Sequence, residues 1–370
     1  MFLLMGLPRA GQTLDDVRQL LLAEVEKLKS GDFDDDLLPS VVNNLKLQYY
    51  NSLESNQARA NMFVQAFVNG TPWEQEVKAL DRVSGITKEQ IVSFARQHFT
   101  DGYACVSKVQ GTDETQKKID KPQITAIPTN RDLVSDFVTE IQKAKVAPIE
   151  PVFVDFKRDL TFGNIKPQLP YVYVQNKENG RFTLELRYDF GRESDVRYDY
   201  AAEYLDYLGT DALTPEQLKQ QFYKLACTYN INVGARTITV SLNGLGESMP
   251  EALELLETLM HEAKVDSAAY DKYIGILEKA REDAKTSQQQ NFQCLVSYGL
   301  YGTYNPRRNI LTTQQLRETD PQELLDLLKN LSQYEHTVLY YGPLSDKELA
   351  DVIASRHQTA AELQPVPEGR

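Results

Sequence analysis

Ser55-Asn-Gln-Ala-Arg-Ala-Asn-Met-Phe-Val-Gln-Ala-Phe-Val-Asn-Gly-Thr71 lies without a gap over Ser287-Gln-Gln-Gln-Asn-Phe-Gln-Cys-Leu-Val-Ser-Tyr-Gly-Leu-Tyr-Gly-Thr303, an offset of 303 − 71 = 232. Upstream at that offset, Phe33-Asp34 meets Val265-Asp266, and Leu45 meets Leu277 within a helical apolar pattern. Downstream, with a two-residue gap within the closing segment, Thr87-Lys-Glu-Gln-Ile91 leading to Tyr103-Ala-Cys-Val-Ser-Lys-Val-Gln-Gly111 matches Asp320-Pro-Gln-Glu-Leu324 leading to His336-Thr-Val-Leu-Tyr-Tyr-Gly342. A period this long marks a tandem of structural units. Each copy reads strand, long helices, capped helix, closing strand.

Local signals agree with that order. Thr13 is placed to cap a helix reaching Leu28, with Val17, Leu20, Leu21, Leu22, Val25 and Leu28 on its apolar face, and Ser248 with Pro250 does the same for Leu253, Leu256 and Leu259. Thr87 with Gln90 forms a capping box for a helix ending near His98. Closing strands are expected at Tyr103 to Val109 and Thr337 to Tyr341. The apolar run Met1-Phe-Leu-Leu-Met-Gly-Leu7 reads as a buried strand; it is too short to span a membrane and lacks the basic start of a signal peptide.

Between the copies lies material found once. Residues 112 to 150 are polar and carry Pro122, Pro128 and Pro148, the composition of a linker, with one helix over Leu133, Phe137 and Ile141. Residues 151 to 239 predict strands near Tyr171 to Gln175, Phe182 to Phe190 and Asn230 to Gly234, an edge strand from Thr237 to Asn243, and helices from Tyr198 to Leu208 and Thr214 to Ala226. The expected organisation is the latter half of one unit at 1–111, a linker at 112–150, a nearly whole unit at 151–345, and a C-terminal helix or linker at 346–370. The first unit lacks the opening strands of the second, which suggests a piece of a longer tandem.

The chain has 370 residues, so one small module is excluded; 41% hydrophobic and 25% charged residues are the balance of a globular protein with more than one core. Forty Lys and Arg against fifty-three Asp and Glu give a net charge of −13. That charge repels phosphate backbones and anionic lipid, so neither nucleic acid nor membrane is an expected partner. Cys105, Cys227 and Cys294 have none of the paired spacing of zinc ribbons or redox motifs and read as buried thiols.

The stretch Asp199-Tyr-Ala-Ala-Glu-Tyr-Leu-Asp-Tyr-Leu-Gly-Thr210 is followed by Leu213-Thr-Pro-Glu-Gln-Leu218 and Thr228-Tyr-Asn-Ile-Asn-Val-Gly-Ala-Arg-Thr-Ile-Thr-Val240. In order and spacing this resembles the pitrilysin/insulinase-type zinc metallopeptidases, whose members show a helix with His-x-x-Glu-His and then Gly-Thr, a capped helix and an antiparallel strand pair. The resemblance implies an α+β fold of tandem pitrilysin-like units, each an antiparallel or mixed sheet packed against helices. It also implies a peptide or unfolded polypeptide as substrate and zinc in the catalytic unit of the full protein.

The metal motif departs from the family. Zinc needs two imidazoles four residues apart on one helical face, with a glutamate to activate water. Here those positions hold Tyr200, Glu203 and Tyr204, and the family's later glutamate ligand falls on Glu278 or Lys279. With Tyr207 these residues also make an aromatic stripe at i, i+3, i+4 and i+7 that packs on a sheet. The resemblance therefore implies a noncatalytic portion of such a peptidase, helping to form a peptide-binding chamber beside the catalytic half of the same protein or a paired subunit; the alternative is an inactive structural or binding subunit of a larger assembly. No catalytic residue and no metal ligand is assigned in this chain.

Other candidates are sparse. His98, His261, His336 and His357 are at least 21 residues apart, and His261-Glu262 starts like a zincin motif but meets Val265 where the second histidine belongs, so His261 reads as a solvated helix-end residue. Tyr298 and Tyr301, near Arg307 and Arg308, could form a peptide-facing wall or a helix-end aromatic cluster that includes Tyr304.

Overall fold

The computed structural model describes residues 2–9, 11–112, 115, 120–127 and 129–369. Met1 of the expected first strand and Pro128 of the linker lie outside the described residues. Six helices come first: α1 (Leu14–Ser30), α2 (Leu37–Leu53), α3 (Asn56–Asn69), α4 (Trp73–Val77), α5 (Ala79–Ser84) and α6 (Lys88–His98). In α1 the Thr13 hydroxyl accepts from the Asp16 N–H while the Asp16 carboxylate accepts from the Thr13 N–H, so two otherwise unpaired donors are satisfied. The helix ends at Gly31 in the left-handed region, φ 79°. Thr87 and Gln90 cap α6 in the same way. Two short helices follow, α7 (Asp136–Lys143) and α8 (Phe156–Asp159), set in extended, exposed chain.

The sheet-bearing part runs β1 (Thr161–Lys166), β2 (Leu169–Gln175), β3 (Arg181–Tyr188), α9 (Arg197–Leu205), α10 (Pro215–Lys224), β4 (Cys227–Val233), β5 (Ile238–Leu245), α11 (Met249–Glu262), α12 (Ser267–Thr286), α13 (Gln288–Tyr301), α14 (Thr313–Glu318), α15 (Pro321–Lys329), β6 (Thr337–Gly342) and α16 (Asp346–Arg356). The strands form one mixed sheet in the order β1-β2-β6-β3-β5-β4. Only β2 and β6 run parallel; the other neighbours are antiparallel. Alternate residues of β3, β5 and β6 are buried, among them Leu184, Leu186, Val240, Leu242 and Val338. They meet Leu253 and Leu256 of α11, Leu324 and Leu328 of α15, and Leu349 and Ile353 of α16 in one core. At about 1.5–3 kcal/mol for each large apolar side chain, that burial is the main force holding the helices to the sheet. The C-terminal helix is thus an integral part of this core. α2 lies against α10 and β5, where Asn44 donates to the Tyr223 carbonyl at 2.8 Å and Glu54 pairs with Arg181 of β3.

The repeat is visible in the helices. α3 begins at residue 56 and α13 at 288, and α1, α2, α3 and α6 recur in the same order as α11, α12, α13 and α15. The strands correct the sequence reading. Residues 103–109 are extended but form no ladder, with Val106 92% exposed, and Phe2 to Leu7 are likewise exposed and unpaired. A strand exists only beside another: the equivalent β6 lies between β2 and β3, whereas 103–109 has no strand next to it among the described residues. Residues 237–243 are not an edge strand either; β5 sits between β3 and β4, and β4 forms the edge. Ser248 makes no side-chain cap bond, so Pro250 in the first turn is what remains of that start signal. Of the cysteines only Cys227 is buried, its thiol pushed up to about 12 by desolvation; Cys105 and Cys294 are exposed.

Candidate functional site: the face between α9 and the edge strand

α9 begins after Asp195, whose carboxylate accepts from the Arg197 N–H at 2.9 Å, and packs on α15 and on β4. α12 begins where the Asp266 carboxylate accepts from the Ala269 N–H, and its first turns bring Tyr270 and Tyr273 against α9. Where the sequence predicts packing on a sheet, Tyr204 and Tyr207 pack on an aromatic pair of α12. The Tyr204 ring meets Tyr270 edge-on at 5.1 Å, and Tyr207 meets Tyr273 at 5.7 Å.

The two tyrosines at the zinc-motif positions serve different partners. The Tyr200 hydroxyl accepts from the Arg281 guanidinium and from the Leu311 N–H, both at 3.2 Å. The Tyr204 hydroxyl donates to the Asp266 carbonyl at 3.0 Å and accepts from the Asp266 N–H at 3.2 Å. Burial raises both phenols above their ordinary range, so each stays neutral. Glu203 accepts from the Tyr273 hydroxyl at 2.8 Å, and burial, reinforced by that carboxylate, drives the Tyr273 phenol upward.

The candidates for the later ligand are engaged elsewhere. Glu278 holds Arg317 through two bonds of 2.8 and 2.7 Å, and Lys279 pairs with Asp283 at 3.0 Å. Among the described residues no group of three or more His, Cys, Asp and Glu is placed to hold a metal ion. The donor set does not fit zinc: two neutral phenols bonded elsewhere, one carboxylate, and the Arg281 cation at the first motif position.

The adjoining face of α9, which shares Glu203 with the motif positions but not Tyr200 or Tyr204, opens onto a cleft of about 300 Å³ between α9 and β4. Asp199, Glu203 and Asp206 line it from α9 and the residue that follows, and Tyr229 to Val233 line it from the strand. The Tyr229 hydroxyl donates to Asp206 at 2.9 Å. Arg192, the cation in the lining, pairs with Asp199 at 3.4 Å and donates to the Val233 carbonyl at 2.6 Å; its Nε is buried with no hydrogen-bond partner. Burial raises the Asp199 carboxyl, opposed by Arg192. Three carboxyl groups against one guanidinium make the cleft acidic. Among the described residues β4 is bonded to a strand, β5, on one side only; no strand covers its other side, although Arg192 already holds the Val233 carbonyl.

Sequence reasoning singled out Tyr200, Glu203 and Tyr204, and the structure brings them to one helix face. It missed Arg192, Asp199, Asp206, Tyr273 and Arg281, whose importance comes from chain crossings; Asp199 and Asp206, at i−4 and i+3 from Glu203, were the one legible signal. Tyr298 and Tyr301 are exposed on α13, with Arg307 and Arg308 in the turn beyond, and none of the four lines the cleft. His261 is not solvated: its side chain is 12% exposed and its Nδ1 bonds the Glu257 carbonyl at 3.0 Å.

No family model and no curated protein matches the sequence. Solved structures do. Over 96% of this chain and 42% of the other, the ferredoxin protease FusC, crystallised as a mutant with Arabidopsis ferredoxin, is similar at 11% identity and a TM-score of 0.50. The periplasmic protease PqqL from Escherichia coli covers the same shares at 12% identity and a TM-score of 0.49. A peptidase M16 inactive domain from Pseudomonas fluorescens matches 57% of this chain and 54% of its own at 13% identity and a TM-score of 0.48. The FusC likeness shows the fold alone, which is pitrilysin-like. This chain spans less than half the length of the two proteases that it matches almost throughout.

Proposed function

We propose that the chain is a noncatalytic portion of a pitrilysin-type zinc metalloendopeptidase that helps to form its peptide-binding chamber and does not itself hydrolyse peptides. Zinc and the catalytic machinery belong, in this reading, to the catalytic half of the same protein or to a paired subunit. The observation that carries it is the state of the motif helix: Tyr200 and Tyr204 are built into hydrogen bonds with Arg281, Leu311 and Asp266, while the adjacent cleft keeps a strand edge that no second strand covers.

That edge suits an extended polypeptide, which would add to β4 by backbone hydrogen bonds and place side chains toward the cleft. Asp199, Glu203 and Asp206 favour a basic residue there, in line with the net charge of −13. The test is the binding of fluorescein-labelled 10-residue peptides, one rich in Lys and Arg and one rich in Asp and Glu, to the purified chain. The reading expects the basic peptide to bind more tightly, to weaken with salt, and to lose about tenfold in affinity, or ~1.4 kcal/mol, in the Glu203→Gln, Asp206→Asn variant. Equal binding of both peptides, or none of either, would overturn it.

A further inference from the structure

Three residues from distant parts of the chain meet in the core on the C-terminal side of the sheet. Glu257 comes from α11, His336 immediately precedes β6, and His357 closes α16; each is about 95% buried or more. The His336 Nε2 lies 2.8 Å from the His357 Nε2, and the His357 Nδ1 lies 2.6 Å from the Glu257 carboxylate. On its other side His336 places Nδ1 2.8 Å from the Tyr334 carbonyl.

These contacts fix where the protons are. A carbonyl only accepts, so the His336 Nδ1 carries hydrogen. Glu257 also accepts from the Gln358 N–H at 3.2 Å, which suits an ionised carboxylate, so the His357 Nδ1 carries hydrogen as well. If both rings were neutral, two Nε2 lone pairs would face each other across 2.8 Å. One further proton turns that repulsion into an N–H···N bond, and Glu257 supplies the compensating charge.

We propose that Glu257, His357 and His336 form a latch, closed by one shared proton, that fastens the end of α16 to the sheet and opens when a second proton enters. In acid both imidazoles become cations in a buried space beside one carboxylate, and their repulsion works against the packing of α16, the element that carries His357. The chain after it depends on the same attachment, since the Ala360 N–H bonds the Ser332 carbonyl and residue 364 bridges residue 334.

The groups facing the pair are few. α11 contributes Glu257 and His261, whose Nδ1 is 3.5 Å from the carboxylate. β1 contributes Lys166, which bonds the Thr359 hydroxyl at 3.0 Å, and β3 contributes Tyr188, whose ring lies 4.7 Å from His336. On α16, Arg356 is paired with Glu254. Burial first, and the neighbouring His357 second, hold His336 down to about 4, so the second proton enters only in acid. A metal between the rings fits less well: two imidazoles on tetrahedral zinc, at ~2.0–2.1 Å each, need their nitrogens ~3.3 Å apart.

The test uses the whole chain labelled with ¹⁵N-histidine. Long-range ¹H–¹⁵N spectra at pH 7 should show one slowly exchanging Nε2 proton shared by two rings. Hydrogen exchange, corrected for intrinsic rate, should show residues 346–364 losing protection between pH 6 and pH 4 by about tenfold per pH unit while β3 and β5 keep theirs. His336→Gln, whose amide oxygen accepts from the His357 Nε2–H and takes no second proton, should remove that pH dependence. If this variant fails to fold, the wild-type spectra decide. The proposal is overturned if neither Nε2 carries a proton at pH 7, if protection is the same at pH 6 and pH 4, or if His336→Gln leaves the loss unchanged. It is also overturned if one equivalent of zinc shifts both Nε2 signals at pH 7, which would assign the site to a metal.

Discussion

The Tyr273 hydroxyl donates a hydrogen bond of 2.8 Å to Glu203, so the one acidic side chain in the zinc-motif positions is tied to α12. That contact joins the two helices that would have to cooperate in metal binding. Tyr273→Phe should therefore lower stability by about 1.5 kcal/mol, the low end for a hydrogen bond to a carboxylate. Urea unfolding measures it, and a loss below ~0.3 kcal/mol would mean that the contact does not order the cleft wall.

Arg281 should govern any attempt to rebuild the metal site. Its guanidinium bonds the Tyr200 hydroxyl, so a histidine at 200 faces a cation. Tyr200→His with Tyr204→His should bind zinc at least tenfold more weakly than the same pair combined with Arg281→Ala, as read by competition against a chromogenic chelator. Equal affinities would show that Arg281 has no hold on the position.

His336 sets a pH dependence with a definite sign. Its folded-state value is lowered to about 4 from the ordinary 6.5, so between those limits the unfolded chain binds a proton that the folded chain refuses. The stabilisation is complete above pH 6.5 and is lost as pH falls toward 4, by about 3 kcal/mol in total. The difference between wild type and His336→Gln in urea midpoint at pH 7 and pH 4.5 reads it; a constant difference would contradict it.

Limited proteolysis should cut first between residues 102 and 155. Val106, Ile127, Ile149 and Val152 there are 83–95% exposed, and α7 is the one helix among the described residues of that segment. First cuts between 160 and 340 would count against this.

How much of this was legible in the sequence depended on whether the cause was local. Thr13 with Asp16 and Thr87 with Gln90 announce helix starts because a cap is an interaction over three residues, and the offset of 232 between Ser55 and Ser287 identifies repeated helices. Strands were less legible. Tyr103 to Val109 has strand composition but no neighbour to pair with, and β1, interrupted by Gly163 and Asn164, lacks the pattern yet pairs with β2. Alternation in 237–243 could not reveal that β4 would lie outside β5. The acids of the cleft sat in view on one helix, whereas Arg281 over Tyr200 and His336 against His357 arise from crossings 81 and 21 residues apart in the chain.

In the proposed role this chain binds peptide without cutting it. The most direct measurement is metal content together with hydrolysis of a quenched-fluorescent basic peptide by the purified wild-type chain, supplied with zinc and assayed with and without chelator. Well under one equivalent of zinc and no chelator-sensitive cleavage are expected, while the same peptide made without a quencher binds measurably by anisotropy. Stoichiometric zinc with cleavage that chelator abolishes would contradict it.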